Sequence, residues 1–516
     1  MSNTTEIEIK MPKVDLNYSS FKKPVQVSAD PAAKPNPKVT IDGKVYDFAP
    51  GDTIMQVAER YKIHEEIPRY CYHPGMPIAG SCRMCTVEVE KAPKLMTSCS
   101  TPAADGMVVH TRSEKVVKSR TGVMEFLLTN HPLDCPVCDK AGECELQDYN
   151  FEYGPMTSNF KEEKRVYEDS TTKKLSDKVT LNMNRCVHCE RCVRFTDDVT
   201  KTSDLVMLNR GYKKELAAAD EERGLFNDYQ GCLTDFCPVG ALTYNDFRFE
   251  KRVWFLEKKA SICDRCSKGC NIEVHSEKDV VYRYMPIFNE QVNQHWMCDE
   301  GRSSYQSLSN PLRIISPLMK YQDALHSTSI ETLLGSISKE LQSASSVELV
   351  VGTDATCEEA AYLKEKMPEV IKNIRLSYYN GTNNVTTSKD DQKLDNLLRM
   401  KDKTANTKGV EETGLTALKN GEVSSEIAIL FRSGRAGIPK MKADQKLILW
   451  GVWTQEEIKA LPSKNILGVI AGLSTIEKIG SFKNTDGILQ KFAPAIVHRG
   501  NGLSVKSVVS AWKSLK

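Results

Sequence analysis

From Val39 the chain alternates apolar and polar residues in VTIDGKVYDF, with Asp42-Gly43 at the midpoint, the two-residue signal of a hairpin. Asp52 and Thr53 stand where a helix cap is expected, before a run that keeps helical spacing to about Tyr61. After a cysteine-bearing loop, CTVEVEK and the stretch from Met107 to Thr111 return to strand-like alternation. Hairpin, helix, loop and returning strands together predict a small β-grasp unit. Ser113 to Asn130 (SEKVVKSRTGVMEFLLTN) has helical spacing. Beyond about residue 313, VELVV, IAILF, LILWG and ILGVIA read as buried strands between helical stretches, the pattern of an α/β unit. The polar segment from Asp402 to Glu422 is expected as a loop or helix on the surface, and no internal repeat is visible. The longest apolar runs, KLILWGVW and ILGVIAGL, fall far short of the ~20 residues that cross a bilayer, so no direct membrane span is expected.

Composition narrows the picture. At 516 residues the chain is long enough for several domains, and 40% hydrophobic with 27% charged residues is ordinary for a globular protein. A net charge of +2, with no basic stripe, gives no reason to expect nucleic acid. Residues 1–37 are rich in Lys, Pro, Ser and Asn, and are expected either to be disordered or to order on a neighbouring subunit. The start of the chain has no apolar signal core and no arginine before Arg60, which predicts a reducing, cytoplasmic compartment rather than a secreted or imported protein.

The cysteines change the picture most. Seventeen are present, and fifteen fall in four tight groups before residue 300. With His131 they offer sixteen ligands, enough for four four-ligand metal centres, and several redox centres along one chain point to a conductor of electrons. The first set is Cys71, Cys82, Cys85 and Cys99. Its long first interval is a loop able to wrap a small cluster, with Gly75 and Gly80 permitting close backbone approach. Thiolates bind iron and zinc alike, but a β-grasp frame favours [2Fe-2S] over zinc. The second set is Cys135, Cys138 and Cys144, with His131 just upstream; Cys232 is the competing fourth ligand. A neutral imidazole in place of a thiolate should raise the cluster's potential. The third set is Cys186, Cys189 and Cys192, then Cys237-Pro238, a variant of the bacterial ferredoxin signature in which a remote Cys-Pro completes one [4Fe-4S] cluster. The fourth set, Cys263, Cys266, Cys270 and Cys298, would suit a zinc ribbon in isolation; beside three iron–sulfur sets it reads as another [4Fe-4S] site. Cys357 in ATCEEAAYLKEKM reads as a plain residue at a helix start, and GRAG from Gly434 to Gly437 is a weak nucleotide loop.

Three stretches carry a family resemblance: CYHPGMPIAGSCRMCTVEVEKAPKLMTSC, then GVMEFLLTNHPLDCPVCDKAGECELQD, then RCVHCERCVRF with DFCPVGALT. They closely resemble the large iron–sulfur subunit of respiratory complex I, the NADH:quinone oxidoreductase, over roughly residues 38–312. The resemblance implies one [2Fe-2S] cluster on Cys71, Cys82, Cys85 and Cys99. It implies [4Fe-4S] clusters on His131, Cys135, Cys138 and Cys144 and on Cys186, Cys189, Cys192 and Cys237. The Cys263 set resembles an extra [4Fe-4S] site known in only some bacterial members and lying off the main route. Electrons would pass from a flavoprotein (FMN/NADH) subunit to the first set, then the third, then the second. They would leave through a two-cluster ferredoxin-like subunit, among other peripheral-arm partners, on the cytoplasmic side of a bacterial inner membrane. The Cys263 set and WMCDEGRSSY also resemble the entry to a molybdopterin oxidoreductase domain, and LSTIEKIGSFKNTDGILQKF that domain's closing portion. The stretch between is short, which predicts an internal deletion and no molybdopterin.

The expected fold class is multidomain α+β. A β-grasp [2Fe-2S] ferredoxin domain spans 38–112, a His/Cys-ligated [4Fe-4S] domain 113–155, a ferredoxin-like [4Fe-4S] domain 156–252 and a small [4Fe-4S] domain 253–312. A degenerate α/β domain over 313–516 follows. A subunit of a soluble NAD-linked hydrogenase or a formate dehydrogenase is the alternative reading, and a zinc-stapled scaffold without redox role a third. An iron-only hydrogenase would need further cysteines after residue 300, and a formate dehydrogenase the full molybdopterin domain.

Overall fold

A computed structural model describes residues 36–167, 172–322, 324–381, 393–434 and 436–515. The expected extension thus lies almost wholly outside the described residues.

Strands β1 (Lys38–Ile41) and β2 (Lys44–Asp47) pair antiparallel, and Asp42 and Gly43 turn between them with φ of 46° and 79°. Helix α1 (Ile54–Arg60) starts at Thr53, whose hydroxyl and the side chain of Gln56 form a capping box, which contributes about 1 kcal/mol. Strands β3 (Thr86–Val89), β4 (Met96–Thr97) and β5 (Met107–His110) complete a sheet of order β2-β1-β5-β3-β4, with β5 parallel to β1. Its core of Val39, Ile41, Ile54, Val57 and Val109 also takes in Cys85 and Cys99.

Helix α2 (Glu114–Asn130) and α3 (Glu145–Tyr153) pack on this sheet through Arg120, which is fully buried. Its guanidinium donates to the Thr86 carbonyl at 3.1 Å and the Tyr153 hydroxyl at 2.9 Å. The third-set region then runs β6 (Lys173–Lys174), β7 (Val179–Leu181), α4 (Arg191–Arg194), β8 (Leu205–Leu208), β9 (Glu215–Ala218), α5 (Gln230–Asp235) and β10 (Leu242–Tyr244). Outer strands β7 and β10 pair with each other, as do inner strands β8 and β9, so two strand–helix–strand halves face one another. Strands β11 (Glu257–Ile262), β12 (Asn271–Glu277) and β13 (Val280–Pro286) form a meander, followed by the short helix α6 (Asp299–Arg302).

The last region is built on one eight-stranded sheet. In chain order it contains β14 (Leu318–Tyr321), β15 (Ala324–Ser327), α7 (Ile330–Ser343), β16 (Val347–Gly352), α8 (Cys357–Val370), β17 (Ile374–Tyr379), α9 (Thr407–Glu412) and β18 (Thr416–Ala417). It continues with β19 (Ile427–Arg432), β20 (Lys446–Gly451), α10 (Gln455–Ala460), β21 (Ile466–Ala471), β22 (Gly480–Lys483), β23 (Leu489–Phe492) and α11 (Val505–Ser514). The sheet order is β15-β14-β21-β20-β19-β16-β17-β18, parallel from β21 to β18 with an antiparallel hairpin at one edge. The four apolar runs singled out in the sequence are β16, β19, β20 and β21, buried on both faces as parallel strands require.

One expectation fails here. The segment from Asp402 is not uniformly a surface loop, because Thr404, Ala405, Asn406 and Thr407 are buried. Their polarity is absorbed by hydrogen bonds, such as Thr404 with Thr353 at 2.8 Å and Asn406 Nδ2 to the Ala355 carbonyl at 2.7 Å. Cys357 opens α8 directly after the capping residue Thr356, as expected.

Candidate metal centres

The first set hangs on the loop between α1 and β3 and on the turn after β4. Its thiols are drawn into two pairs, Cys71 with Cys82 and Cys85 with Cys99. Within each pair the hydrogen bond from the partner lowers one thiol, Cys71 and Cys85, and raises the other. The backbone amides of Ser81 and Cys82 also aim at the Cys71 sulfur. Gly80, with φ of 66°, turns that loop. Gly75 serves a different neighbour from the one expected: a Cβ there would meet the Trp296 ring at 2.7 Å.

In the second set, Cys138 lies within electrostatic reach of Cys135 and Cys144, and backbone amides face the sulfurs of Cys138 and Cys144. Burial raises both thiols, Cys144 to about 11. Cys135 is exposed. His131 ends α2 as its cap, with Asp134, Arg185 and Lys164 around the ring. Burial first, with Arg185 and Lys164 adding to it against Asp134, pushes its imidazole down to about 4, leaving the neutral ring that a metal can take. The rival Cys232 is engaged elsewhere: its thiol donates to the Met297 carbonyl at 3.2 Å.

The third set lines a small apolar cavity, with Cys186, Cys189, Cys192 and Cys237 joined in its wall by Phe236 and Pro238. His188 and Glu190 adopt left-handed φ of 52° and 58°, a conformation that costs non-glycine residues roughly 1–2 kcal/mol each. The turns they make aim amides at sulfur, as in His188 N–H to Cys186 at 3.4 Å. Burial, then the neighbouring thiols, pushes Cys186 up to about 12, and burial pushes Cys189 up to about 11. Cys186, Cys189 and Cys192, whose thiols burial holds protonated, need a central positive charge to become ligands, which a metal core supplies and a cavity alone does not.

The fourth set joins the β11–β12 turn, where Cys263 N–H meets the Cys270 carbonyl at 2.8 Å, to Cys298 at the cap of α6. A Cβ at Gly301 would meet the Cys263 sulfur at 3.0 Å and that of Cys298 at 3.5 Å. Burial pushes Cys298 up to about 12. The final region clamps this loop: Gln490 reaches the Gly269 carbonyl at 2.8 Å and the Asp402 carbonyl accepts the Ser267 N–H at 3.0 Å.

Among the described residues no three His, Cys, Asp or Glu side chains converge as a single chelated ion requires. The third-set thiols instead line one shared cavity, an arrangement suited to a polynuclear core. Members of all four sets belong to one contiguous buried cluster that includes Cys71, Cys144, Cys189, Cys237, Cys263 and Cys298. A carbonyl next to Cys237, that of Pro238, accepts the N–H of Glu145 at 3.0 Å, joining the third set to the peptide of Cys144. A Cβ at Gly240 would meet the Cys138 sulfur at 2.3 Å, so glycine is required where the two sets abut.

The Gly434 loop has its own occupant. Asp354 accepts the backbone N–H groups of Ser433, Gly434 and Ala436 at 3.1, 2.7 and 2.9 Å. A carboxylate fills this anion-binding nest, and those amides are not free for a phosphate.

The four thiol sets mark a candidate multicentre metalloprotein, and the family models that match the chain are those of iron–sulfur domains. A 2Fe-2S iron-sulfur cluster binding domain matches residues 37–114, and an NADH-ubiquinone oxidoreductase-G iron-sulfur binding region matches 120–159. The ferredoxin-like domain of NADH-quinone oxidoreductase subunit 3 matches 176–243 and a molybdopterin oxidoreductase Fe4S4 domain 256–310. The G subunit of NADH-quinone oxidoreductase from Rickettsia typhi is 32% identical over 92% of this chain and 68% of its own length. The chain belongs to the family of that large iron–sulfur subunit. The counterpart in Rickettsia bellii is 38% identical over 70% of this chain and 51% of its own. The NADH-ubiquinone oxidoreductase 75 kDa subunit of Reclinomonas americana is 37% identical over 70% and 52%. The chain thus spans about half the length of most curated relatives it matches. A crystal structure of NAD+-reducing [NiFe]-hydrogenase is 28% identical, covering 42% of this chain and 92% of that one, at a TM-score of 0.37, too low to equate the two folds.

Proposed function

We propose that this chain is an electron-relay subunit of a proton-translocating NADH:quinone oxidoreductase, with one [2Fe-2S] cluster, three [4Fe-4S] clusters and no molybdopterin. The observation that carries the reading is one buried core in which members of all four thiol sets meet. Cys71 with Cys82 and Cys85 with Cys99 form two pairs, which suits two irons with two thiolates each. His131, Cys135, Cys138 and Cys144 would hold one [4Fe-4S] cluster. Cys186, Cys189, Cys192 and Cys237 would hold the second, and Cys263, Cys266, Cys270 and Cys298 the third. Bound clusters supply one-electron storage at potentials within roughly −700 to +450 mV, tuned by hydrogen bonds and exposure.

The residues of this chain do the rest. Phe236, Leu216 and Met207 keep water from the third cavity, and loop amides hold negative charge at sulfur. The Pro238–Glu145 hydrogen bond and the Gly240–Cys138 contact support the passage from third to second set in the order first, third, second. Leu133 and Val137, two residues to either side of Cys135, are both more than half exposed, and an apolar rim at an exposed ligand suits a docked partner. We assign that rim to a two-cluster ferredoxin-like subunit, with a flavoprotein (FMN/NADH) subunit on the side of the first set. Among the described residues no helix is long and apolar enough to cross a membrane, which fits peripheral attachment at the cytoplasmic face of a bacterial inner membrane. The corresponding units are a β-grasp domain over 38–112, a His/Cys-ligated domain over 113–155, a ferredoxin-like domain over 156–252, a small fourth-set domain over 253–312 and an α/β remnant from 313 on.

Metal and sulfide analysis with EPR of the dithionite-reduced chain tests the reading. Iron with several distinct signals is expected; zinc with EPR silence overturns it. His131→Cys separates the ligand from its rival, because an unchanged midpoint potential at every cluster would remove His131 from the second set.

A further inference from the structure

Arg194 sits on α4, just after Cys192, and reaches back across the boundary with the first-set loop. One guanidinium nitrogen, Nη2, donates both to the Cys71 carbonyl and, at 3.3 Å, to the Cys189 carbonyl. Nη1 donates at 2.5 Å to the Pro77 carbonyl in the same loop. A ligand of the first set and a ligand of the third are therefore joined through their own backbones and a single nitrogen atom.

Arg191, one turn earlier, repeats the pattern one residue further out. It donates to the Tyr72 carbonyl at 3.0 Å and the Phe236 carbonyl at 2.9 Å, residues adjacent to Cys71 and Cys237. Arg191 is also ion-paired with Glu145 at 3.1 Å, so its charge is balanced within the core. Arg194 carries no such ion pair among the described residues, and it alone of the two touches ligand carbonyls directly.

We infer that Arg194 is the positioning residue that couples the first and third sets for electron passage, both by fixing the Cys71 loop against Cys189 and by bridging them with hydrogen bonds. The inference rests on the electron-relay reading above. In the step it serves, one electron leaves the reduced centre at the Cys71 set, which is oxidised, and arrives at the centre on the Cys186 set, which is reduced. No proton moves, because the guanidinium keeps its charge across the accessible pH range. Electrons enter from a reduced flavin in the assembled complex. Arginine suits this place because its planar fork presents N–H groups to several carbonyls at once, whereas a lysine ammonium keeps the charge without the fixed geometry.

The test compares Arg194→Lys and Arg194→Gln with the control Arg223→Lys, an exposed residue whose guanidinium lies over the Phe226 ring. In the assembled complex, reduced through its flavin and rapidly frozen, the third-set EPR signal is followed after that of the first set. Both Arg194 variants are expected to keep full iron and sulfide. The lag between the two signals should lengthen severalfold, because electron tunnelling falls steeply with distance. Arg194→Lys should keep both midpoint potentials, Arg194→Gln should lower them, and Arg223→Lys should match the wild type. Fully loaded Arg194 variants with an unchanged lag would overturn the inference. So would loss of the first-set cluster from both variants, since Arg194 would then only staple the loop. A wild-type chain free of iron fails at the first measurement, and that result defeats the electron-relay reading itself.

Discussion

Strands β16, β19 and β20 are six residues long, and Leu349, Val351, Ile429, Ile448 and Trp450 between them are fully buried. Around the cysteines the strands run two to seven residues, and the interior between them is shared by thiols, arginines and backbone carbonyls. Arg120, Arg191 and Arg302 are each almost fully buried there, and each donates to at least one main-chain carbonyl. The later region closes over apolar side chains that need nothing added. The earlier region closes over thiols such as Cys186 and Cys263 that burial holds protonated in the absence of a central positive charge. The difference predicts a sheet that holds without added groups beside a scaffold whose folding is coupled to bound clusters.

The largest expected effect breaks the two regions apart. Chelation of iron from the anaerobic protein should leave amide exchange in β16, β19, β20 and β21 slow while exchange in β7, β10 and the Cys186–Cys192 loop rises by orders of magnitude. Equal rises in both regions would mean that the later sheet depends on the clusters too. The loop contacts that clamp the fourth set, Gln490 to Gly269 and Ser267 to Asp402, are where such dependence would enter. Cys266→Ser should accordingly harm assembly more than electron flow. A complex that assembles normally with this substitution yet loses NADH:quinone turnover would place the fourth set on the main route.

A smaller effect probes the other side. Trp450 is fully buried in β20 with Phe431 edge-on at 5.2 Å, and truncation to alanine should cost about 3–5 kcal/mol. Trp450→Ala should lower the unfolding temperature of the α/β region while iron content and cluster EPR stay at wild-type values. A parallel loss of clusters would show that the regions fold as one unit.

Legibility follows the range of the interactions. Strand alternation, the Thr53 cap, the α2 spacing and the cysteine intervals are local, so each can be read from the chain. The joins that Arg191 and Arg194 make span 119 and 123 residues, and no local pattern reports what a guanidinium so placed will meet. Cys232 reads as a spare ligand because its partner, the Met297 backbone, lies 65 residues away. Thr404 to Thr407 read as exposed because polarity suggests solvent contact, whereas their hydrogen bonds run to the β16–α8 turn. The Gly434 loop reads as a weak nucleotide site, and only the fold reveals that Asp354 fills it.

The smallest effect sharpens the comparison through two buried glutamates that shift in opposite directions. Glu477, in the later region, is held by Arg313 through bonds of 2.9 and 2.6 Å; burial raises its pKa, but Arg313 and Ser474 outweigh burial and hold it below the usual carboxylate range. Its stabilisation is present above the unfolded value and is lost as pH falls through the folded one. Glu59, under the first set, accepts the Tyr72 hydroxyl at 2.7 Å, while its other oxygen has no hydrogen bond and stands 3.7 Å from Arg69. Burial pushes Glu59 up to about 7 against the pull of Arg69 and Tyr72. Between the unfolded value, ~4.3, and about 7 the unfolded chain has lost this proton and the folded one retains it. The unfolded state then binds fewer protons, so stability falls as pH rises through that window and is level above it, by up to about 3 kcal/mol. Glu59→Gln has no charge to bury and still offers an oxygen to Tyr72. It should leave the exchange-derived opening free energy of α1 and β1 unchanged near pH 4 and raise it near pH 8. The wild type should lose stability in that helix on going from pH 5 to pH 8 while the Arg313–Glu477 contact holds. A wild-type α1 equally stable at both values would show that Arg69 closes on Glu59 in solution and pairs it as fully as Arg313 pairs Glu477.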